Sequence, residues 1–188
     1  MQRSGIRDYK SIGDCMKNAV EQLGMYQSYH YDARNRASHF IGIPLIVFGI
    51  MVLLNRVEVF GSMQLGTLVT MATIMYYFRL DWALAMAMTV VLCLMQYFAL
   101  QMAALPQTEW LTYGLGAFIV GWVIQTVGHV FEKRRPAFTD NLMQLLIGPL
   151  FLMFEVFSAL KLKPELHKAV MERALQLHPP AKRKEAHV

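Results

Sequence analysis

Three histidines, His30, His39 and His129, are the residues of this sequence best suited to chemistry. Neutral imidazole nitrogens are common ligands of redox metals in proteins. The three flank the hydrophobic part of the chain, and the distribution of charge places all of them on one side of a membrane. The pattern indicates metal chemistry at the mouth of a hydrophobic bundle, where a lipid-like substrate could meet the metal.

The first two histidines belong to one polar segment. Tyr26 and His30 are one helical turn apart and share a face, and Asn35 and His39 do likewise. His30 and His39 are nine residues apart, so one straight helix would point them in opposite directions. They converge only if the chain bends between them, or each faces a different neighbour. The alternative is a pair of hydrogen-bonded histidines at the interface, without a metal.

The third histidine lies where a long apolar run ends. Gln125, His129 and Glu132 are spaced to share one face of a helix. Such groups at a membrane boundary are costly unless they have a partner or a function. Glu132 could be a ligand, a partner for an imidazole N–H, or an ion-pair partner of an arginine. The alternative is a polar cap, with Gly121 and Gly128 permitting close helix packing.

A further polar turn contains Tyr76, Arg79 and Asp81, and topology places it near the same histidines. A salt-bridged turn is the plainer account of it. The sequence has no G-x-S-x-G, H-E-x-x-H or P-loop motif. It also lacks the dense paired histidine boxes of desaturase-type di-iron enzymes. Three nitrogens, with or without a carboxylate, suit one Fe(II) with open positions, although zinc accepts the same ligands.

Composition indicates a membrane protein. Of 188 residues, 55% are hydrophobic and only 16% are charged, against about 25% charged in a typical soluble domain. The apolar residues form long blocks rather than periodic stripes, which favours transmembrane spans. The net charge of +5 could suggest nucleic-acid binding, but the basic residues lie beside apolar blocks and follow the positive-inside rule instead.

The sequence predicts an all-α, polytopic membrane protein with a single membrane domain over residues 1–178. Four transmembrane helices are expected near 40–55, 63–79, 82–105 and 110–131. An amphipathic helix over 9–26 precedes them and is expected to pack against the rest of the protein. Four spans keep the basic N-terminal segment, the loop after the fourth span and the basic tail on one side.

A fifth apolar block, 141–160, is not expected to cross, because a fifth span would carry the basic tail to the other side. Gly148 and Pro149 interrupt it, and Glu155 must face protein or water. We expect a re-entrant or interfacial helix pair lying under the bundle, with a true fifth span as the alternative. Residues 179–188 are expected to form a disordered basic tail.

The order of these polar residues within the apolar blocks resembles the 2-hydroxy fatty acid dioxygenase family, small membrane proteins of fatty acid α-oxidation. The likeness extends from Tyr26 to Leu160. It is carried by Tyr26, His30, Asn35, His39, Gly42 and Pro44, then by Trp122, Gln125, Gly128, His129, Glu132, Pro136 and Ala137, and then by Asn141, Gln144, Pro149 and Glu155.

The resemblance implies an Fe(II)-dependent reaction in which a 2-hydroxy fatty acid and O2 give the acid shortened by one carbon. It implies that the iron ligands are His30, His39 and His129. From charge and position, further roles are expected for six residues. Glu132 and Asp81 are candidates for another ligand or a ligand's partner, Asn35 and Gln125 for orienting substrate or imidazole, and Arg79 or Arg135 for binding the substrate carboxylate.

Two other functions remain open. The protein could be a non-catalytic membrane scaffold or assembly protein, in which the polar groups hold helices together. It could also be a zinc-dependent membrane lipid hydrolase. We expect an integral protein of a bacterial inner membrane with both termini cytoplasmic, or of the endoplasmic reticulum membrane in a eukaryote. The protein is expected to contact membrane lipid and not to bind nucleic acid, and it could form a homo-oligomer.

Overall fold

The computed structural model describes residues 18–132 and 143–179. Helices account for nearly all of this part, which confirms the all-α prediction. In chain order the elements are α1 (18–27), α2 (Ala33–Leu54), β1 (Glu58–Phe60), β2 (Met63–Gln64), α3 (Leu65–Leu80), α4 (Trp82–Ala103), α5 (Gln107–Glu132), α6 (Gln144–Ala159) and α7 (Pro164–Leu177). The start of the predicted N-terminal helix, the loop containing Arg135 and the tail from 180 lie outside the described residues.

Three of the described helices, α2, α4 and α5, are long and apolar enough to cross a membrane. The predicted first span is longer than its apolar block, because α2 begins at Ala33. Asp32 sets that start, since its side chain accepts a hydrogen bond from the backbone N–H of Arg34 at 2.8 Å. The second predicted span corresponds to α3, which has only 16 residues.

Helices α2 and α5 pack against each other in opposite directions along a line of glycines. A Cβ on Gly121 would lie 2.7 Å from the carbonyl oxygen of Gly42, and a Cβ on Gly49 would lie 2.6 Å from that of Gly114. Gly128 leaves room for the side chain of Ser38, which a Cβ at this position would meet. The two backbones therefore approach more closely than any larger residue would allow, and this places the start of α2 beside the end of α5.

The helices α2 to α5 alternate in direction. At one end, Asn55 after α2 bonds with Gln96 near the end of α4, while Gln96 donates to Thr67 at the start of α3. The β1–β2 hairpin lies at this end, and Gly61 takes its positive φ of 59° in the turn. At the other end, Asp81 between α3 and α4 forms an ion pair with Lys163, which precedes α7.

The fifth apolar block forms one continuous helix, α6, so the prediction of a helix pair over 141–160 was wrong. Pro149 lies inside α6 without ending it, since packed neighbours stabilise a helix that has lost one hydrogen bond. Its second half lies beside the start of α2, where Glu155 Oε2 is 3.2 Å from Arg36 Nε. Its first half reaches the middle of α2, with Gly148 next to Ile43.

Helices α1 and α7 cover the same end of the bundle. Ala19 and Leu23 of α1 and Val170 of α7 are fully buried in the common core. Gly24 of α1 packs against Arg173 of α7, whose guanidinium donates to Glu21. The described part of the N-terminal helix therefore packs against the protein, as the sequence predicted, and it carries the chain into the first histidine.

Candidate metal centre

The structure brings His30, His39 and His129 together at the end of the bundle. Their ring centroids form a nearly equilateral triangle, with separations of 4.6 Å for His30–His39, 5.2 Å for His30–His129 and 5.0 Å for His39–His129. One nitrogen from each ring lies within 4.8 Å of the others. His30 and His39 are buried and His129 is half-buried. Residues from three separate segments thus meet at one point.

The chain bends between His30 and His39, which is what their convergence requires. Helix α1 ends at residue 27, residues 28–32 form a turn, and α2 begins at Ala33. The Gln27 amide donates to the carbonyl of His30 at 2.9 Å, which stabilises the turn. Tyr26 stacks on the His30 ring with a centroid distance of 4.2 Å and an angle of 8°. The bend therefore presents His30 to His39 from outside α2.

Hydrogen bonds to backbone carbonyls fix the protonation of two imidazoles. His30 Nδ1 donates to the carbonyl of Tyr26 at 2.6 Å, and His39 Nδ1 donates to that of Asn35 at 2.8 Å. A carbonyl oxygen can only accept, so the proton of each neutral ring is on Nδ1 and the lone pair is on Nε2. Nδ1–H bonds of this kind orient metal-binding histidines.

The remaining imidazole nitrogens lack partners. Among the described residues, the buried Nε2 atoms of His30 and His39 and the buried Nδ1 of His129 have no hydrogen-bond partner. A buried polar atom without a partner costs about 1–3 kcal/mol, so three in one place call for an explanation. Three lone pairs directed at a common ion would supply it, and the cluster therefore has the donor set of a metal site.

The protonation of His30 is suited to metal binding. Burial, followed by repulsion from His39, holds the pKa of His30 well below its usual range. The ring is consequently neutral at pH 7. Metal binding requires the neutral form, because a proton would otherwise occupy the lone pair.

Glu132 connects the end of α5 to the turn after His30. Its carboxylate accepts hydrogen bonds from the backbone N–H groups of Tyr31 at 3.0 Å and Asp32 at 2.8 Å, and from the Asn35 amide at 3.2 Å. Of the three roles that the sequence allowed for Glu132, none describes this arrangement. The carboxylate instead caps the start of α2, a position that the helix dipole also favours.

Arg36 also stabilises this turn, through hydrogen bonds to two of its carbonyl groups. Its Nη1 donates to the carbonyls of Tyr31 at 2.8 Å and His30 at 3.3 Å, while its Nε faces Glu155 of α6. Sequence reasoning missed Arg36, since it looked like one of several cytoplasmic basic residues. The turn that carries His30 is therefore held by a carboxylate from α5 and by a guanidinium paired with α6.

A small cavity of about 50 Å³ opens beside the histidines. His30 and His129 line it together with Gln125, Gln144 and Trp122. Gln144 is 1% exposed, and its Oε1 has no partner among the described residues, while its Nε2 donates to Gln22 at 2.9 Å. Sequence analysis did not select Gln144 as a site residue, although a lone amide inside an apolar block was a usable signal.

The other expected site residues are placed differently. Asn35 is buried and donates to Glu132, and Gln125 is buried and lines the small cavity. Asp81 caps α4 by accepting from Leu84 N–H at 3.0 Å and pairs with Lys163, so the structure does not bring it into the histidine cluster. Arg79 is exposed at the end of α3 and does not line the small cavity. Arg135 lies outside the described residues.

Fold and site together define a class: a helical protein with membrane-length apolar helices that bury a three-histidine cluster at one end. Comparison with known proteins identifies the family. Residues 16–160 match the model of the family described as "2-hydroxy-palmitic acid dioxygenase Mpo1-like", and the chain belongs to this family. This confirms the resemblance found in the sequence.

A relative in Saccharomyces cerevisiae, "2-hydroxy-palmitic acid dioxygenase MPO1", is 36% identical over 170 residues, which cover 88% of this chain and 94% of the yeast protein. No solved structure is significantly similar to the chain.

Proposed function

We propose that this protein is an Fe(II)-dependent dioxygenase that shortens 2-hydroxy fatty acids by one carbon at the membrane. The observation that carries the proposal is the convergence of three imidazoles whose buried nitrogens have no partner among the described residues. The name of the yeast relative supports the substrate class and the type of reaction. Iron is the metal we assign, because a dioxygenase needs a redox-active ion and three neutral nitrogens suit Fe(II).

The reaction balances with O2 as the only oxidant. The 2-hydroxy acid loses its carboxyl carbon as CO2, the carbon bearing the hydroxyl becomes the new carboxyl group, and one water forms. Bound Fe(II) would supply the electrons that activate O2 and positions for the substrate oxygens. The residues that would hold it are His30, His39 and His129, and Nδ1–H bonds keep the first two rings oriented.

The residues around the small cavity have proposed roles in binding the polar end of the substrate. Gln144 Oε1, buried and without a partner in the described structure, would accept a hydrogen bond from the 2-hydroxyl group. The Gln22 contact holds the Gln144 amide in place. Gln125 lines the same cavity and would orient the substrate beside it. Arg135, three residues after Glu132, stays our proposal for the carboxylate partner.

The proposed topology has four spans, α2 to α5, with both termini in the cytoplasm of a bacterium or on the cytosolic face of the endoplasmic reticulum. The alternation of helix direction supports this topology. Because α3 has only 16 residues, it would cross nearly upright or where the bilayer is locally thinner. Helix α6 would not cross the membrane, because four spans keep the basic segments before α2 and after α6 on one side.

The test is oxygen uptake by purified, Fe(II)-loaded protein given 2-hydroxypalmitic acid, with products identified by mass spectrometry. We expect O2 consumption matched by the acid one carbon shorter. Protein that binds no metal and consumes no O2 would support the scaffold instead. Zinc-dependent cleavage of a lipid ester or amide without O2 would support the hydrolase.

A further inference from the structure

A second and larger cavity continues from the histidine site into the apolar part of the bundle. Its volume is about 300 Å³, the lower end of the usual range for small-molecule sites. It lies between α2, α3, α4, α5 and α6, and its lining is almost entirely apolar. Four residues line both this cavity and the small one beside the histidines: Ile46, Val47, Trp122 and Leu145. The two cavities therefore adjoin each other at these side chains, and the two together are called the path.

The far end of this path is closed by hydrogen-bonded polar groups. Gly66 and Thr70 line the end of the cavity. Thr70 Oγ1 lies 3.3 Å from Gln96 Oε1, and Gln96 exchanges hydrogen bonds with Asn55, which packs against Gly66. An alkyl chain could not enter this network without leaving buried amides unpaired, at a cost of about 1–3 kcal/mol for each group.

The length of the path fits a long alkyl chain. The residues from His39 to Leu54, at the far end of the cavity, advance α2 by about 22 Å. Carbon–carbon bonds of about 1.5 Å give an extended alkyl chain about 1.3 Å of advance per carbon, so a chain of palmitic length fits this distance. On the side of the path, Ile50 and Val69 line the cavity and are 37% and 40% exposed, which leaves an apolar entrance facing the bilayer.

We propose that the alkyl chain of the substrate occupies this cavity and that the wall at Gly66 and Thr70 limits its length. The inference rests on the proposed function for the identity of the polar end of the ligand. The chain enters sideways from the bilayer between Ile50 and Val69. Its carboxyl end then lies at the histidines, Trp122 packs near its first half, and its methyl end approaches Thr70.

Fluorescence of Trp122 tests occupancy without any metal. Metal-free, full-length protein in phosphatidylcholine nanodiscs is titrated with 2-hydroxypalmitic acid brominated at mid-chain, and the Trp122-dependent signal is defined by comparison with Trp122→Phe. We expect the acid to quench this Trp122-dependent fluorescence saturably. Equal quenching by brominated phosphatidylcholine, or none that depends on Trp122, would overturn the proposal.

A substitution in the lining of the cavity, before the wall at Gly66 and Thr70, tests whether the alkyl chain extends along it. Thr73 lines the cavity and its Oγ1 donates to the carbonyl of Val69 at 2.8 Å. We expect Thr73→Phe to weaken binding of 2-hydroxypalmitic acid about tenfold or more, and to change binding of 2-hydroxyhexanoic acid less than about twofold, because only the longer chain reaches the new ring.

The matched control is Thr112→Phe. Thr112 makes the same kind of bond, to Thr108 at 2.8 Å, but is exposed on α5. An equal loss for both acids, or the same effect in both variants, would overturn the chain-binding site. Length-selective binding without O2 uptake would overturn only the proposed reaction, whereas turnover with unchanged length preference in Thr73→Phe would overturn only the cavity assignment.

Discussion

The three imidazoles differ in how firmly their orientation is set. His30 and His39 each donate from Nδ1 to a carbonyl one helical turn earlier, so each presents Nε2 to the centre. The described structure gives His129 no such bond at its buried Nδ1. Two rings are therefore oriented before a metal binds. The third can adjust when the ion arrives.

Substitution of one imidazole tests the metal assignment at the residue scale. We expect His39→Ala to lose Fe(II) binding and O2 uptake by more than the roughly 10–100-fold that follows loss of a ligand's hydrogen-bond partner. Iron content by plasma emission spectroscopy and oxygen-electrode rates would measure both. His167→Ala is the control, because His167 lies on α7 and bonds to Ser158 rather than to the cluster. Full iron content in His39→Ala would contradict the assignment.

Glu132 offers a test that separates a capping carboxylate from a metal ligand. We expect Glu132→Ala to reduce iron affinity and to lower stability by about 1–3 kcal/mol, because the N–H groups of Tyr31, Asp32 and the Asn35 amide lose their acceptor. Glu132→Gln should keep most iron binding, since an amide oxygen can still accept from the backbone. Iron titration and thermal unfolding in detergent would measure the two effects.

Exposed Glu109, on the same helix, is the control for Glu132. Loss of iron in Glu132→Gln as complete as in His39→Ala would show a ligand instead of a cap.

At the scale of elements, the glycines between α2 and α5 set the position of the site. Gly121 and Gly116 lie on the same helix, and only Gly121 faces α2. A Cβ on Gly121 would meet the backbone of α2, whereas a Cβ on Gly116 would meet nothing within 4 Å. The pair therefore allows the same substitution to be made inside and outside the contact.

We expect Gly121→Ala to destabilise the protein by about 1–3 kcal/mol through overpacking and to weaken iron binding by moving His129 away from His39. Gly116→Ala should leave the unfolding temperature unchanged or slightly raised, because alanine favours helix. Thermal unfolding with and without Fe(II) measures both variants. Equal effects of the two substitutions would show that the close approach does not determine stability.

Some features of the helices and of the site could be predicted from the sequence, and others could not. Sequence reasoning left two possibilities for His30 and His39, a bend in the chain or a different neighbour for each, and the structure shows the bend. It could not decide the role of Glu132, since a carboxylate at that position suits a ligand, a partner or an ion pair equally well. Its expectation that Pro149 divides the fifth block was wrong, because the packing that stabilises α6 is invisible in local sequence. Gln144 became a site residue only once its neighbours were known.

The whole molecule places its polar connections at two opposite ends. The hairpin containing Ser62 lies at the end away from the histidines, and the turn that pairs Asp81 with Lys163 lies at the other. In a four-span topology these two ends face opposite sides of the membrane. The exposed residues Ser62 and Glu165 report on them separately.

Cysteine labelling in intact cells tests this topology. With Cys15 and Cys93 replaced by serine, we expect a membrane-impermeant maleimide to label Ser62→Cys and to leave Glu165→Cys unlabelled. The physical reason is that basic segments remain on the cytoplasmic side. Both cysteines should react after solubilisation in detergent, which is the control. Labelling of both in intact cells, or of neither, would rule out a four-span arrangement with α3 crossing.

The glycine contact between α2 and α5 also has a mechanical consequence. His39 and His129 are carried by two backbones in direct contact, so the glycine packing sets the distance between the Cα atoms of these two residues. His30 is carried by a turn that hydrogen bonds from Glu132 and Arg36 hold in place. Apart from rotation of the His129 ring, a wider centre, whether to admit a larger ion or to release a product, therefore requires displacement of this one turn.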